Sequence, residues 1–440
     1  MDIDVSAFID SRKLSRFQIR VAVLCAMVVL FDGLDTQVIG YLGPALSRDW
    51  HLSRGELGPI FSASLAGLMF GLLVIGPLSD RVGRKLAMVS SCALFGCFTL
   101  LTAAAQGVPD LLIYRFVAGI GLGGALPNAL ALTGEYCPAR RRATLVVAMF
   151  CGYSLGSIIG GGLTAAVISR FGWRSVFLVG GMLPLLLVPV LITTLPESLY
   201  FLVSKEGWRQ QIQRVLSRID PDFSVPADAR FVSTAPAARR GTVAQLFRAR
   251  MGIDTVLLWI VFFMNLLDFY FVQNWLPTIF TDSGLDIRTA VLITTLVSVG
   301  GIACGVLSGP LMDRFGAYYV LTGLYICGSV FMALMGLGRM SLFALVALTF
   351  AAGFCVSGGQ KSVNALAVIF YPPAIRSTGV GWALGIGRAG AIVGPLMGGW
   401  LMARGWSNSN IFEFAALPML CAAAMVFTMG LRNGPAMMDS

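Results

Sequence analysis

The feature that most constrains this chain is a series of predominantly apolar runs of twenty residues or more, such as 86–105 and 174–195. At 1.5 Å per residue, twenty residues of helix span about 30 Å, the thickness of a bilayer's hydrocarbon core. A soluble amphipathic helix would instead carry charge on one face at every turn. Composition agrees: 57% of the 440 residues are hydrophobic and 12% charged, where a soluble domain carries about 25% charged residues. The 51 glycines suit close helix packing in lipid.

Apolar blocks between turn and charge clusters predict twelve spans, near 18–45, 56–78, 86–106, 110–136, 143–168, 174–195, 254–280, 289–311, 317–337, 341–370, 376–403 and 410–431. One long polar stretch, 196–252, separates six from six. It predicts an N-terminal six-helix bundle (1–195), a cytoplasmic linker (196–252) with an amphipathic helix near 205–219, and a C-terminal six-helix bundle (253–440). Residues 1–20 are polar and the first apolar run leads into Asp32 and Asp35, so no cleaved signal peptide is expected.

Positive charge fixes the orientation. With both termini cytoplasmic, 22 Lys/Arg fall on the cytoplasmic side and seven in external loops, Arg339 among the latter. The net charge of +10 is therefore a topology signal and implies no nucleic-acid partner. Three cations remain, Arg115, Lys361 and Arg388, all inside predicted spans. Nine scattered cysteines without CxxC read as reduced packing residues, and a lone His51 leaves no histidine-based catalysis or zinc site. No nucleotide-binding loop or nucleophile–base pair suggests an enzyme.

The halves repeat at an offset of 233–236 residues. Gly76-Pro77-Leu78-Ser79-Asp80-Arg81-Val82-Gly83 returns as Gly309-Pro310-Leu311-Met312-Asp313-Arg314-Phe315-Gly316. Asn128-Ala129-Leu130-Ala131 returns as Asn364-Ala365-Leu366-Ala367, and Asp32 falls opposite Asp268. Parallel repeats of this kind suggest two bundles rocking about a midplane site.

The loop from Gly76 through Arg84-Lys85 resembles the signature between helices 2 and 3 of the major facilitator superfamily. Leu111-x-x-x-Arg115-x-x-Ala118-Gly119-x-Gly121 and Pro196-Glu197-Ser198 are similar to two further motifs, though Leu199-Tyr200 departs from the usual continuation. Within the superfamily, Phe31-Asp32-Gly33-Leu34-Asp35-Thr36-Gln37 resembles the DGxD element of the aromatic acid:proton symporters. Gly123-Gly124-Ala125-Leu126-Pro127-Asn128 and Gly385-Ile386-Gly387-Arg388 fit the same family. The drug antiporters' GxxxGPxxGG pattern is broken in the fifth span, where Ser157 follows Gly156; it appears instead at Gly390–Gly399 in the eleventh.

The resemblance implies an all-α integral membrane protein of the bacterial inner membrane, with twelve spans and cytoplasmic termini. It would import small aromatic carboxylates by proton symport, as a monomer, with the proton gradient and no cofactor as energy source. A drug or aromatic-compound exporter or antiporter is the alternative, and an aromatic-acid receptor a more distant one.

Ionisable groups inside a span are costly and face a partner or a cavity. Asp32 and Asp35 are three residues apart on one helical face, about 20–25 Å from the cytoplasmic end of the first span. Two carboxylates so close resist joint ionisation, which suits proton loading and release. Arg115 joins them for proton coupling by family resemblance, with ion pairing or snorkelling as the structural reading. Lys361 and Arg388 are candidates for the substrate carboxylate, the latter through its planar fork, with Asp268 as a further candidate substrate-site residue; an internal salt bridge among these charges is the alternative. Tyr41, Phe269, Tyr270, Trp275 and Trp382 are candidate ring walls, with Asn128, Asn364 and Gln273 as hydrogen-bonding groups. Asn274-Trp275-Leu276-Pro277 predicts an irregularity in the seventh span. Asp80, Arg81, Arg84, Lys85, Asp313 and Arg314 are candidate gating charges.

Overall fold

Hydrocarbon offers the backbone no hydrogen bonds, so a chain of this composition must satisfy its amides within helices. The computed structural model describes residues 2–205, 207–221, 223, 230–232, 243–247, 251–338, 340–372 and 375–437. Among these, eleven helices are long and apolar enough to cross a membrane. One of them, Ala139–Thr194, has 56 residues and contains Gly172 at φ 74°, where the helix breaks. It therefore supplies the fifth and sixth spans. The others are Arg16–Trp50, Arg54–Val82, Arg84–Thr102 and Val108–Tyr136 (first to fourth), then Met251–Asp282, Ile287–Phe315, Ala317–Met335, Leu342–Phe370, Arg376–Ala403 and Asn408–Met437 (seventh to twelfth). The twelve spans stand where the apolar runs predict them.

Local chemistry sets the boundaries. Gly83 (φ 103°) and Gly316 (φ 85°) occupy matching places in the repeated loops, where the chain reverses in a backbone region that favours glycine. Asp286 and Ser341 cap the eighth and tenth spans, accepting from the amides of Thr289 (3.0 Å) and Ala344 (3.2 Å). The seventh span runs as one helix through Pro277, correcting the expected irregularity. Pro277 lacks the amide that would bond the Gln273 carbonyl, and a side chain at Gly40 would meet that carbonyl and Asn274.

The amphipathic helix predicted at 205–219 forms over Arg209–Ile219, burying Ile212, Val215, Leu216 and Ile219. A shorter helix, Leu199–Ser204, precedes it. Linker residues 206, 222, 224–229, 233–242 and 248–250, and Arg339, lie outside the described residues. A parallel pairing of Asp2–Asp4 with Arg230–Val232 has no counterpart in the sequence expectations.

Contacts group the chain into two units. The first comprises Met1–Thr36, Ala66–Ser157 and Arg174–Ala237; the second comprises Gln37–Leu65, Ile158–Trp173 and Ala238–Ser440. In the first, Val28, Phe95, Leu122, Tyr136 and Leu216 belong to one buried apolar cluster. In the second, Phe262, Leu321, Val363 and Met419 do so. Small residues bring helices together in both. A Cβ at Gly156 would strike the Leu30 carbonyl, and one at Gly390 the Phe263 carbonyl. The GxxxGPxxGG pattern of the eleventh span thus packs that helix on the seventh. Gly156→Val should force the first and fifth spans apart at a cost of about 1–3 kcal/mol, read as a lower thermal midpoint of the purified protein.

Candidate intramembrane charge sites

In the first unit, Asp35 and Arg115 form a bidentate ion pair. Both guanidinium Nη atoms donate to the carboxylate at 2.9 Å, and Nη2 also reaches the Asp35 carbonyl at 3.1 Å. Thr99 Oγ1 donates to the same carboxylate at 2.6 Å. Both charged side chains are at most 1% exposed, and the guanidinium lies 5.5 Å from the Phe177 ring centroid. A buried pair is tolerable only with such geometry and with added hydrogen bonds. Arg115 therefore pairs inward and does not snorkel. Asp32, one turn earlier, accepts from Thr36 Oγ1 at 3.1 Å. The two acids share a helix face but have different partners. Gly33 lies between them because the Tyr153 carbonyl occupies the space of a side chain. The Asn128 amide turns back on its own helix, donating to the Gly124 carbonyl at 2.7 Å.

At the cytoplasmic end, the loop charges are organised by two acids. Arg84 forms an ion pair with buried Glu135. Glu197 Oε1 accepts from the amides of Arg84 (2.8 Å) and Lys85 (3.0 Å), capping the third span, whose own N-cap is Gly83. Ser198 Oγ donates to Glu135 at 2.6 Å, Tyr136 Oη to the Glu197 carbonyl at 2.6 Å, and Lys85 Nζ to the Ile192 carbonyl at 2.6 Å. Lys205 Nζ donates to the Arg81 carbonyl at 3.0 Å. Asp80 is 3.7 Å from Arg84 and 55% exposed, a weaker contact. The second copy of the loop is different: Asp313 and Arg314 are exposed, and Arg314 lies over the Phe315 ring. Ala317-Tyr318 follow where the first copy has Arg84-Lys85.

In the second unit, Lys361 Nζ donates to the Gly301 carbonyl at 2.6 Å and Arg388 Nη1 to Tyr270 Oη at 3.3 Å. Tyr270 and Phe269 meet edge-on at 5.0 Å. Gln273 Nε2 donates to Ser298 Oγ at 3.2 Å, while Gln273 Oε1 and Asn364 Oδ1 are buried without a hydrogen-bond partner. Trp275 is fully buried; its indole N–H donates to the Pro395 carbonyl at 3.0 Å and its ring meets Phe61 at 5.1 Å. Tyr41 is likewise buried, beside Gly161. Trp382 is 44% exposed and stacks on Trp259 at 5.8 Å. Asp268 is fully buried, and among the described residues neither carboxyl oxygen has a hydrogen-bond partner.

The second unit also holds the outer halves of the first two spans against the seventh and eleventh. Arg54 pairs with Asp282, and Ser62 Oγ donates to the Ile392 carbonyl at 2.8 Å. Gly58 and Gly399 meet where a side chain would be tightly crowded.

Twelve spans, a twice-used glycine-hinged loop, buried charges on the first, fourth and seventh spans and half-buried cations on the tenth and eleventh describe a membrane carrier. The sequence matches the profile of the Major Facilitator Superfamily over residues 25–218 and 258–437. The chain belongs to the major facilitator superfamily. It is a multi-pass membrane protein of a transporter family. It is 41% identical over 432 residues to the 4-hydroxybenzoate transporter PcaK of Pseudomonas aeruginosa, covering 98% of this chain and 96% of that one. It is 40% identical to the gallate transporter of Pseudomonas putida, covering 99% and 97%. Among solved structures, a D-xylose–proton symporter shares the fold with a TM-score of 0.72 at 21% identity, covering 93% of this chain and 97% of that one.

Sequence reasoning missed Glu135 as a partner. The only signal was an acid in the last turn of an apolar span. Thr99, which meets Asp35, carried no signal, because hydroxyls are common in spans; Tyr270 was expected as a ring wall, and its hydroxyl receives Arg388. Arg115→Met, which leaves Asp35 buried without its cation, should cost about 3–5 kcal/mol. In thermal unfolding, the double variant Asp35→Asn/Arg115→Met should lose less than the sum of the two single variants.

Proposed function

We propose that the chain is a secondary active transporter that imports small aromatic carboxylates of the hydroxybenzoate, protocatechuate and benzoate class by proton symport. It works by alternating access of the two six-helix repeats in a bacterial inner membrane. The observation that carries this reading is the pair of mid-span cations, Lys361 and Arg388, in a chain similar from end to end to 4-hydroxybenzoate and gallate transporters. Lys361 meets a backbone carbonyl and Arg388 a phenol. An incoming carboxylate is a stronger acceptor than either and can draw both cations onto itself. Tyr270, which meets Arg388, and Phe269, edge-on to Tyr270, supply apolar ring surface, and Gln273 and Asn364 supply buried acceptors for ring hydroxyls.

Asp35, Arg115 and Asp32 couple proton movement to the cycle. Protonating a carboxylate in this group would weaken the bond between the first and fourth spans and alter their packing. The Arg84–Glu135–Glu197 cluster braces the cytoplasmic ends of spans in the first unit. The Arg54–Asp282 pair braces the outer ends in the second. A cycle must loosen one brace as it tightens the other.

In proteoliposomes, labelled 4-hydroxybenzoate should accumulate when the outside is acidic and fail to do so when the gradient is reversed or a protonophore is added. Equal uptake under both gradients would refute symport. Lys361→Ala should weaken binding of the anion by about 1.5–3 kcal/mol and leave binding of an uncharged ring analogue near wild type. Equal losses would assign Lys361 to structure.

A further inference from the structure

Asp268 is the buried acid that the cation network does not reach. It is 0% exposed, and both of its oxygens lack a hydrogen-bond donor. The seventh span packs against the eighth, tenth, eleventh and twelfth, and the outer half of the first span reaches it through Gly40. The mid-helix ionisable side chains on those elements are Cys304, Cys355 and Lys361, with Arg388, Cys421 and Tyr41. Among the described residues, none of them bonds to Asp268. Lys361 reaches Gly301, and Arg388 reaches Tyr270, two residues along the same helix.

A carboxylate ion in that setting would be left without the pairing that makes buried charge tolerable, at a cost of several kcal/mol. A carboxylic acid has no such difficulty and adds an O–H donor. An acceptor stands one turn earlier on the same face: Asn265 Oδ1 is buried without a donor, while its Nδ2 is engaged with the Val356 carbonyl at 3.2 Å. Two acceptors with no donor between them are mismatched, and a proton on Asp268 removes the mismatch.

We infer that Asp268 is a proton-binding site of the transport cycle, occupied in the arrangement seen here and emptied when the seventh span repacks. On release, the carboxyl O–H bond breaks, the electron pair stays on the carboxylate, and the proton passes to water admitted by that repacking. The seventh span carries both Asp268 and Tyr270, the hydroxyl that receives Arg388. Drawing Arg388 onto a substrate carboxylate and emptying Asp268 therefore act on one helix. Asp32, at the equivalent place in the first repeat, has a hydroxyl partner in Thr36, so the two repeats treat the same position differently. This inference rests on the proton-symport reading above.

Asp268→Asn is a near-isosteric mimic of the neutral acid and should insert and fold normally. In proteoliposomes it should lose accumulation driven by an inward proton gradient and keep exchange of labelled for unlabelled 4-hydroxybenzoate, whereas Asp268→Glu should keep both. Gradient-driven accumulation by Asp268→Asn equal to wild type would overturn the inference and leave symport intact. Absence of gradient-driven accumulation in the wild type would remove the symport reading itself. A second measurement does not depend on transport: the infrared spectrum of the wild-type protein at neutral pH should contain a protonated-carboxyl C=O band that Asp268→Asn lacks. Identical spectra would also overturn the inference.

Discussion

The cost of an unpaired charge in hydrocarbon governs this molecule. A helix satisfies its own backbone, but a side-chain charge must find a partner, shed its charge or wait for a ligand. Three outcomes appear among the mid-span groups. Arg115 and Asp35 neutralise each other with a fork and a threonine hydroxyl. Lys361 donates to the Gly301 carbonyl and Arg388 to the Tyr270 hydroxyl. Among the described residues, Asp268 meets no hydrogen-bond donor. The glycine contacts serve the same end. Helices that approach backbone to backbone at Gly156 and Gly390 exclude water and leave the buried charges in a low dielectric, where pairing is strongest.

The repeat shows how one motif can be used in two ways. Both GPLxDRxG loops reverse at a glycine with positive φ. Only the first is followed by Arg-Lys and met by Glu135 and Glu197, and its charges are tied to neighbouring helix ends. The second is followed by Ala317-Tyr318, and Asp313 and Arg314 face outward.

The span count was legible because apolar run length reports directly on a bilayer. Even the break at Gly172 falls between two predicted spans. Pairing was legible only in part. That Arg115, Lys361 and Arg388 needed partners followed from their positions; which acid Arg115 would take depended on helix packing over 80 residues of separation. Trp275 shows the limit from the other side. Its place before Pro277 marked it as unusual, but its ring and N–H serve packing against Phe61 and Pro395. Trp382 looked like a ring wall and stacks on Trp259 at an exposed position. An aromatic's role depends on which face its helix turns inward, and near-uniformly apolar spans do not encode that face.

The central claim is that a carboxylate and a proton cross together through one carrier. It is tested most directly by adding 4-hydroxybenzoate outside proteoliposomes in weak buffer, with no gradient imposed, and following external pH against protein-free liposomes. Co-transport predicts a transient alkalinisation as protons leave the medium with the anion. An unchanged pH during measurable uptake, or acidification, would contradict the account.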